Sequence, residues 1–222
     1  MQNTSIWCLD LRTIALDAMR ALLSADEQAR AGRFKVRADH ERFVKSRGAL
    51  RLILAERTAQ DARALVFLEG DGRKPELRDH PSVHFNLSHS GDFALIAVGP
   101  QSVGVDIEAI RPDIDLQALA TANFHPDERA ILAARSGIAA REAFFQIWAH
   151  KEAFLKATGI GLTDHLTAIS VPLEGGPISA PTALPPETWY ATPLDAPPGY
   201  KASIVSRDAH LSVQDRTASF TS

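Results

Sequence analysis

Hydrophobic residues recur at helical spacing in two long segments of the chain. Between Ala38 and Thr58 the apolar positions share one face of a helix, and the same spacing returns from Phe144 onward. The second segment runs to Gly159, a residue type that commonly ends a helix. The pattern therefore predicts two long amphipathic helices, one in each part of the chain.

Shorter segments of the chain predict a short helix and a set of strands. Val103–Ile110 alternates between apolar and polar residues, which is typical of a strand with one buried face. Leu16–Leu23 predicts a short helix. The other predicted strands are Ile6–Leu9, Val83–Leu87, Phe93–Val98, Thr167–Val171, Trp189–Thr192, Tyr200–Ser206 and Leu211–Asp215.

Polar residues indicate where several of these elements begin or turn. Ser24 and Glu27 have the spacing of a capping box, so a basic helix is predicted to begin there. Pro126 followed by two acids predicts another helix start. A tight SHSGD turn at 88–92 joins two strands, and the proline-rich stretch 172–198 predicts long loops.

Helices and strands occur in similar measure on both sides of residues 100–104. This distribution predicts an α+β fold class, with two similar halves packed together and a hinge at 100–104. The expected boundaries are 1–103 for the N-terminal half and 104–222 for the C-terminal half.

Composition narrows the class of protein. The chain has 222 residues, of which 45% are hydrophobic and 23% charged, as in ordinary globular proteins. Its apolar runs fall well short of the roughly 20 residues that a membrane-spanning helix needs, and no secretory signal is visible at the N-terminus. The lone Cys8 excludes an intrachain disulfide and a thiolate-rich metal site. We expect a cytoplasmic protein without a membrane partner.

Charge is distributed unevenly between the halves. Residues 1–103 hold 15 Lys and Arg against 13 Asp and Glu, whereas residues 104–222 hold 9 against 14. Basic residues concentrate between 28 and 51, either as a solvated helical face or as a site for a small polyanion. The block is too short and too mixed in sign for a long nucleic-acid track, so no nucleic-acid partner is expected.

Two acids project from one face of the predicted strand 103–110. Asp106 and Glu108 are two residues apart, so their side chains point the same way and their Cα atoms lie roughly 6.6 Å apart. At that spacing both carboxylates reach one divalent cation such as Mg²⁺. A solvated edge strand is the alternative, since the D-x-E pattern is common.

A third acid lies on the second long helix, one turn beyond Trp148. Glu152 and Lys156 have the spacing of a surface ion pair, which contributes only about 0.3–0.5 kcal/mol. Apolar neighbours on the same face should be covered, and burying an ion costs several kcal/mol without compensation. A cation and a phosphate would compensate both charges, so we expect this helix to line a cleft.

Three ordered motifs carry a family resemblance. FNLSHSGD at 85–92, GVDIE at 104–108 and WAHKEAFLKATGIGL at 148–162 resemble the signature blocks of the 4'-phosphopantetheinyl transferase superfamily. The order and intervals fit its larger, monomeric form, in which two halves are related by pseudo-two-fold symmetry. The resemblance covers the chain from about Arg30 to Leu162.

The resemblance implies a function. Coenzyme A binds between the halves with Mg²⁺, or Mn²⁺, on its pyrophosphate, and the 4'-phosphopantetheine arm passes to a serine of an apo acyl or peptidyl carrier protein. Adenosine 3',5'-bisphosphate leaves. A metal-dependent phosphodiester hydrolase, such as a nuclease, and a non-catalytic binding module are the alternatives that the same residues allow.

Residue roles are carried over by position. Asp106, Glu108 and Glu152 match the metal-binding acids, and Lys156 matches the lysine on the reacting phosphate. Glu152, Glu128 or a metal-bound water is the candidate base. The residues matched to coenzyme A are Arg30, Arg47, Lys74, Pro75, Ser88, His89, Lys151 and Lys156. Arg33 is an alternative to Arg30, and Arg73 stands where the family usually has a glycine before Lys-Pro.

Overall fold

The computed structural model describes residues 3–69, 74–160, 166–181, 187–211 and 213–215. The helices in these ranges are α1 Leu16–Arg20, α2 Ala25–Ala31, α3 Arg37–Thr58, α4 Leu116–Asn123, α5 Pro126–Ala133 and α6 Gly137–Thr158, with 3-10 turns at Leu11–Thr13 and Leu166–Ala168. The strands are β1 Thr4–Asp10, β2 Phe67–Glu69, β3 Pro75–Leu77, β4 His84–Ser90, β5 Phe93–Gly99, β6 Gly104–Ala109, β7 Gly176–Pro177, β8 Tyr190–Leu194, β9 Tyr200–Ser206 and β10 Val213–Asp215. In the described part of the chain, no helix is long and apolar enough to cross a membrane.

A four-stranded sheet and a 22-residue helix form the N-terminal half. The strand order is β10-β1-β5-β4, with a separate β2-β3 hairpin. β5 is buried on both faces: Ala94, Ile96 and Val98 pack into the core that α3 covers, whereas Leu95 and Ala97 face the other half. Strand β5 therefore contributes to two cores at once.

A second four-stranded sheet and the 22-residue α6 form the C-terminal half. The strand order is β6-β9-β8-β7, and every pair in it is antiparallel. Aromatic rings fill the core beside α6, where the Phe124 and Phe144 rings stack 4.9 Å apart and those of Phe144 and Trp148 lie 5.9 Å apart. The apolar stripe that the sequence indicated is thus the buried face of α6.

A third apolar cluster joins the halves. Leu95 and Ala97 of β5 meet Val105 and Ile107 of β6 and Ile204 of β9. This packing confirms the predicted α+β fold with two halves, while their pseudo-two-fold relation and the division at 103 and 104 stay predictions. Strand β10, from the end of the chain, pairs in parallel with β1 of the N-terminal sheet.

Several element predictions were wrong or incomplete. The strand expected at Thr167–Val171 is a 3-10 turn at Leu166–Ala168 followed by an isolated bridge at Ser170, because Lys151 binds the carbonyls of Leu166 and Ile169. Helix α4 and the β2-β3 hairpin were not predicted, and α6 begins at Gly137, before the first apolar residue of the stripe.

Gly104 sets the distance between α6 and β6. A Cβ atom at this position would lie 2.0 Å from the Ala153 carbonyl oxygen and 2.4 Å from the Ala157 nitrogen, both on the helix backbone. Only glycine allows the helix to approach the strand so closely. The acids of β6 and the charged residues of α6 face each other because of this contact.

We predict that Gly104→Ala lowers the free energy of unfolding by about 1–3 kcal/mol, since the backbone must shift to admit the methyl group. Gly32→Ala is the matched control, because a Cβ there would have its nearest neighbour at 3.6 Å. Urea unfolding measures both. Equal stability of Gly104→Ala and the wild type would contradict the close approach.

Candidate active site

Asp106 is a buried carboxylate held by two other elements. Its Oδ1 accepts hydrogen bonds from the Ser88 hydroxyl of β4 at 2.7 Å and from Lys156 Nζ of α6 at 2.6 Å. Lys156 also donates to Ser88 at 2.9 Å. The second oxygen, Oδ2, is buried and has no hydrogen-bond partner among the described residues. Asp106 therefore has an acceptor available inside the protein.

Glu108 and Glu152 lie close enough to Asp106 and Lys156 for their charges to interact. Burial, then repulsion from Asp106, raises the pKa of Glu108 to about 6. Burial, then the same repulsion, raises the pKa of Glu152, and burial raises that of Asp106 despite the nearby Lys156. Lys156 acts on all three carboxylates, and Arg111 acts on Glu108 as a second cation.

The arrangement fits a cation that the substrate helps to hold. Among the described residues, no three His, Cys, Asp or Glu side chains are grouped so that they could hold a metal ion by themselves. Asp106 Oδ1 faces Lys156, and Glu108 Oε2 accepts from the Ser90 hydroxyl at 2.9 Å. Mg²⁺ usually binds one or two carboxylates together with substrate phosphates and water. The unpaired Asp106 Oδ2 is the atom that fits such an ion.

Alternate side chains of β4 reach across to β6. Besides the Ser88–Asp106 contact, Asn86 Oδ1 accepts the Val105 N–H at 2.8 Å, and Ser90 Oγ accepts the Ala109 N–H at 3.0 Å. These two strands belong to different sheets, so side chains replace the backbone ladder. The contacts of Asn86 and Ser90 with β6 were not predicted, although the N-x-S-x-S alternation in FNLSHSGD was their signal.

His89 lies on the solvent side of this contact. Its side chain is exposed, yet partial withdrawal from water, followed by repulsion from Lys156 and Arg42, lowers its pKa. His89 thus stands next to two cations, which is a suitable place for an anionic group of a ligand.

Arg47 and Arg30, the arginines expected beside His89, have other contacts. Arg47 forms an ion pair with Glu27 and its guanidinium carbon lies 3.7 Å from the centre of the Phe67 ring. Arg51 binds the same carboxylate at 2.7 Å. Arg30 is exposed above the Phe43 ring, at 5.3 Å. The Arg47 contacts fix α2 against α3 and give no support to the phosphate contact expected for it, which stays a prediction.

Lys74 lies where the halves meet. Its Nζ donates to the Ser102 hydroxyl and the Val103 carbonyl, both at 2.8 Å, and to the Ala157 carbonyl at 3.3 Å. Burial lowers its pKa to about 8. Three acceptors match the three donors of an ammonium, so these contacts give no support to the nucleotide contact expected for Lys74. Pro75 begins β3, and Arg73 lies outside the described residues.

Lys151 and Glu128 form a buried ion pair. Lys151 Nζ lies 2.9 Å from Glu128 Oε2 and also donates to the carbonyls of Leu166 at 2.7 Å and Ile169 at 2.6 Å. Glu128 accepts from the backbone N–H groups of His125 and Val171, both at 2.8 Å. Both charges are saturated inside the protein, so a catalytic role for Glu128 and a coenzyme A contact for Lys151 have no support here. The pair instead fixes α5 and the 166–171 segment against α6.

Comparison with known proteins agrees with this geometry. The sequence model described as the 4'-phosphopantetheinyl transferase superfamily matches residues 102–205, and that of the 4'-phosphopantetheinyl transferase N-terminal region matches residues 12–101. The transferase psf-1 of Bacillus pumilus is 38% identical over 160 residues, covering 72% of this chain and 67% of that protein. A 4'-phosphopantetheinyl transferase of Bacillus subtilis is 30% identical over 190 residues, covering 85% of this chain and 84% of that protein. HetI of Nostoc is 39% identical over 158 residues, covering 69% and 67%.

The chain belongs to the 4'-phosphopantetheinyl transferase superfamily. It is an enzyme that transfers the phosphopantetheine arm to carrier proteins, as the three motifs predicted. The nuclease-like and non-catalytic alternatives are not favoured, because the matched regions extend through both halves of the transferase.

His150, which precedes the signature lysine of this transferase family, is fully buried. Its Nδ1 lies 2.6 Å from the Ser203 hydroxyl, and its Nε2 lies 3.2 Å from the Leu173 carbonyl. Burial lowers its pKa to about 4. The folded protein therefore holds this imidazole neutral, whereas the unfolded chain protonates it near pH 6.5.

We predict that the free energy of unfolding falls as the pH is lowered from about 6.5 towards 4, because in that range His150 takes up a proton in the unfolded chain but not in the folded protein. The full loss is roughly 3 kcal/mol at about 1.4 kcal/mol per pKa unit. Urea unfolding at several pH values should show a shallower pH dependence for His150→Gln than for the wild type. His210→Gln, which changes an exposed histidine, serves as the control. A pH dependence of His150→Gln identical to that of the wild type would contradict the prediction.

We also predict that Lys151→Met lowers the free energy of unfolding by about 3–5 kcal/mol, because it leaves the Glu128 carboxylate buried without its partner. The double variant Lys151→Met/Glu128→Gln should regain part of that loss. Urea unfolding measures both variants. A Lys151→Met protein of wild-type stability that binds coenzyme A weakly would contradict the structural role and restore the role expected from the sequence.

Proposed function

We propose that the phosphopantetheine donor is coenzyme A, that the acceptor is a serine hydroxyl of an apo acyl or peptidyl carrier protein, and that the reaction depends on Mg²⁺, with Mn²⁺ as the alternative. The buried, unpaired Asp106 Oδ2 beside two further acids is the observation that carries the proposal. In the reaction the serine oxygen bonds to the phosphorus of the arm, the pyrophosphate bond to that phosphorus breaks, and adenosine 3',5'-bisphosphate leaves.

Asp106, Glu108 and Glu152 are the residues that would hold the cation. When bound, the ion supplies neutralisation of the negative pyrophosphate oxygens. Burial raises the pKa of all three acids, and repulsion from Asp106 adds to the rise at Glu108 and Glu152. A bound cation would offset both effects, which supports the proposal.

In this proposal Lys156 stabilises the developing negative charge, and Glu152 accepts the proton. Lys156, whose side chain is 29% exposed, presents its ammonium to the phosphate oxygens on which charge develops. Glu152 accepts the serine proton, directly or through a water. Its raised pKa makes it a stronger base than an ordinary glutamate, which suits that role near neutral pH.

The 3'-phosphate of coenzyme A is assigned to His89, with Ser88 at the nucleotide end of the site. The exposed position of His89 next to Lys156 and Arg42 supports this assignment. Arg30 is exposed on the same half and stays a candidate. A cytoplasmic monomer without nucleic-acid or membrane partners is likewise a prediction.

We predict that Asp106→Asn and Glu152→Gln each abolish transfer while the protein stays folded. Each substitution removes a charge that holds the cation or accepts the proton, at a small change in volume. Mass spectrometry of an apo carrier protein incubated with enzyme, coenzyme A and Mg²⁺ measures the addition of one phosphopantetheine, and circular dichroism verifies folding. Asp113→Asn, at an exposed position after β6, is the matched control and should retain activity. Full activity in both variants would reject the assignment.

We predict that His89→Ala weakens the binding of coenzyme A more than the binding of its 3'-dephospho analogue. The difference should be roughly 10-fold or more, since a hydrogen bond to a charged group contributes about 1.5–3 kcal/mol. Calorimetric titration of both ligands measures the ratio. Equal weakening of the two ligands would remove His89 from the 3'-phosphate.

A further inference from the structure

Two hydrogen bonds from the N-terminal half, one from a side chain and one from the backbone, hold the carbonyls of the turn between β4 and β5. Ser90 pairs with Phe93, so Gly91 and Asp92 alone form the turn. The Gly91 carbonyl accepts from Arg42 Nε at 2.8 Å, and the Asp92 carbonyl accepts from the Leu11 N–H at 2.8 Å. Both donors lie on the same side of the contact between the halves.

Tyr200 holds the same turn from the C-terminal half. It is the first residue of β9, and its hydroxyl oxygen accepts the Asp92 N–H at 3.1 Å. Its ring packs edge-on against Phe93, with centroids 4.9 Å apart. Gly91 has a φ of +54°, and a Cβ there would lie 2.3 Å from the Tyr200 hydroxyl. The turn is therefore shaped to admit this one side chain.

The same turn is connected to Ser90, the hydrogen-bond partner of Glu108. Tyr200 pairs with Ala109 of β6, and the Ala109 N–H donates to Ser90 Oγ at 3.0 Å. Ser90 in turn donates to Glu108 Oε2 at 2.9 Å and is followed directly by the turn that Tyr200 binds. A shift of the turn would move Ser90 away from Glu108 and would move His89, the residue before it.

We propose that Tyr200 is a positioning residue, which holds the β4-β5 turn so that Ser90 and His89 keep their places at the site. The inference rests on the proposed function, in which His89 binds the 3'-phosphate of coenzyme A. Tyr200 touches neither the substrate nor the cation in this proposal. It acts through the Asp92 N–H and through the space left by Gly91.

The test compares Tyr200→Phe with Tyr190→Phe. Tyr200→Phe keeps the ring against Phe93 and removes the acceptor, whereas Tyr190→Phe removes the same atom from the only other tyrosine, which lies on β8 and pairs with Ser206. For Tyr200→Phe we expect faster hydrogen exchange of the Asp92 amide, a melting temperature close to that of the wild type, and a KM for coenzyme A raised about 3- to 10-fold with a smaller change in kcat. Tyr190→Phe should match the wild type.

A double-mutant cycle separates positioning from a general loss of structure. Gly91→Ala should raise the KM for coenzyme A, and by a smaller factor in the Tyr200→Phe background, because the hydroxyl that the new methyl group meets is then gone. An active wild type with unchanged exchange and KM in Tyr200→Phe overturns this inference and leaves the proposed function standing. A folded wild type that binds no coenzyme A and modifies no apo carrier protein overturns the proposed function.

Discussion

A buried carboxylate with one free oxygen is the constraint on which the rest of the site depends. Asp106 lies between β4 and α6, and in the part of the chain that the structure describes only the oxygen bound by Ser88 and Lys156 has a hydrogen-bond partner. A buried charge is costly unless it is paired, so the fold must place compensating groups around it. The approach of α6 to β6 at Gly104 brings Lys156 and Glu152 close to Asp106. Because the carboxylates of Glu152 and Asp106 repel each other, a further positive charge beside them would be stabilised.

The contact between the halves also helps to place compensating groups around Asp106. Its apolar part is the cluster formed by β5, β6 and β9, which fixes the two sheets against each other. Its polar part is the row of β4 side chains that bind β6, ending at the turn that Tyr200 holds. Behind α6, the Glu128–Lys151 pair and buried His150 tie the helix to its own half. Charged residues that the motifs group together thus divide into those facing the contact and those securing the helix.

Sequence patterns predicted the parts that depend on local spacing. The capping box at Ser24 and Glu27 and the placement of Asp106 and Glu108 on one strand face follow from local geometry, and the structure has both. The partners of Lys151, Arg47 and Lys74 were not predictable, because each depends on which distant segment packs against it. Lys151 meets Glu128, 23 positions earlier, and Lys74 meets the end of α6, 83 positions later. Position within a motif therefore does not determine which distant segment a charged side chain contacts.

Crystals of the enzyme grown with coenzyme A and Mn²⁺ would show whether Asp106 holds the ion, because anomalous scattering locates the ion independently of the refined side chains. We expect an anomalous peak within coordination distance of Asp106 Oδ2, with a pyrophosphate oxygen on its other side and Glu108 or Glu152 among the remaining ligands. A peak elsewhere, with Asp106 still bound only to Lys156 and Ser88, would contradict it.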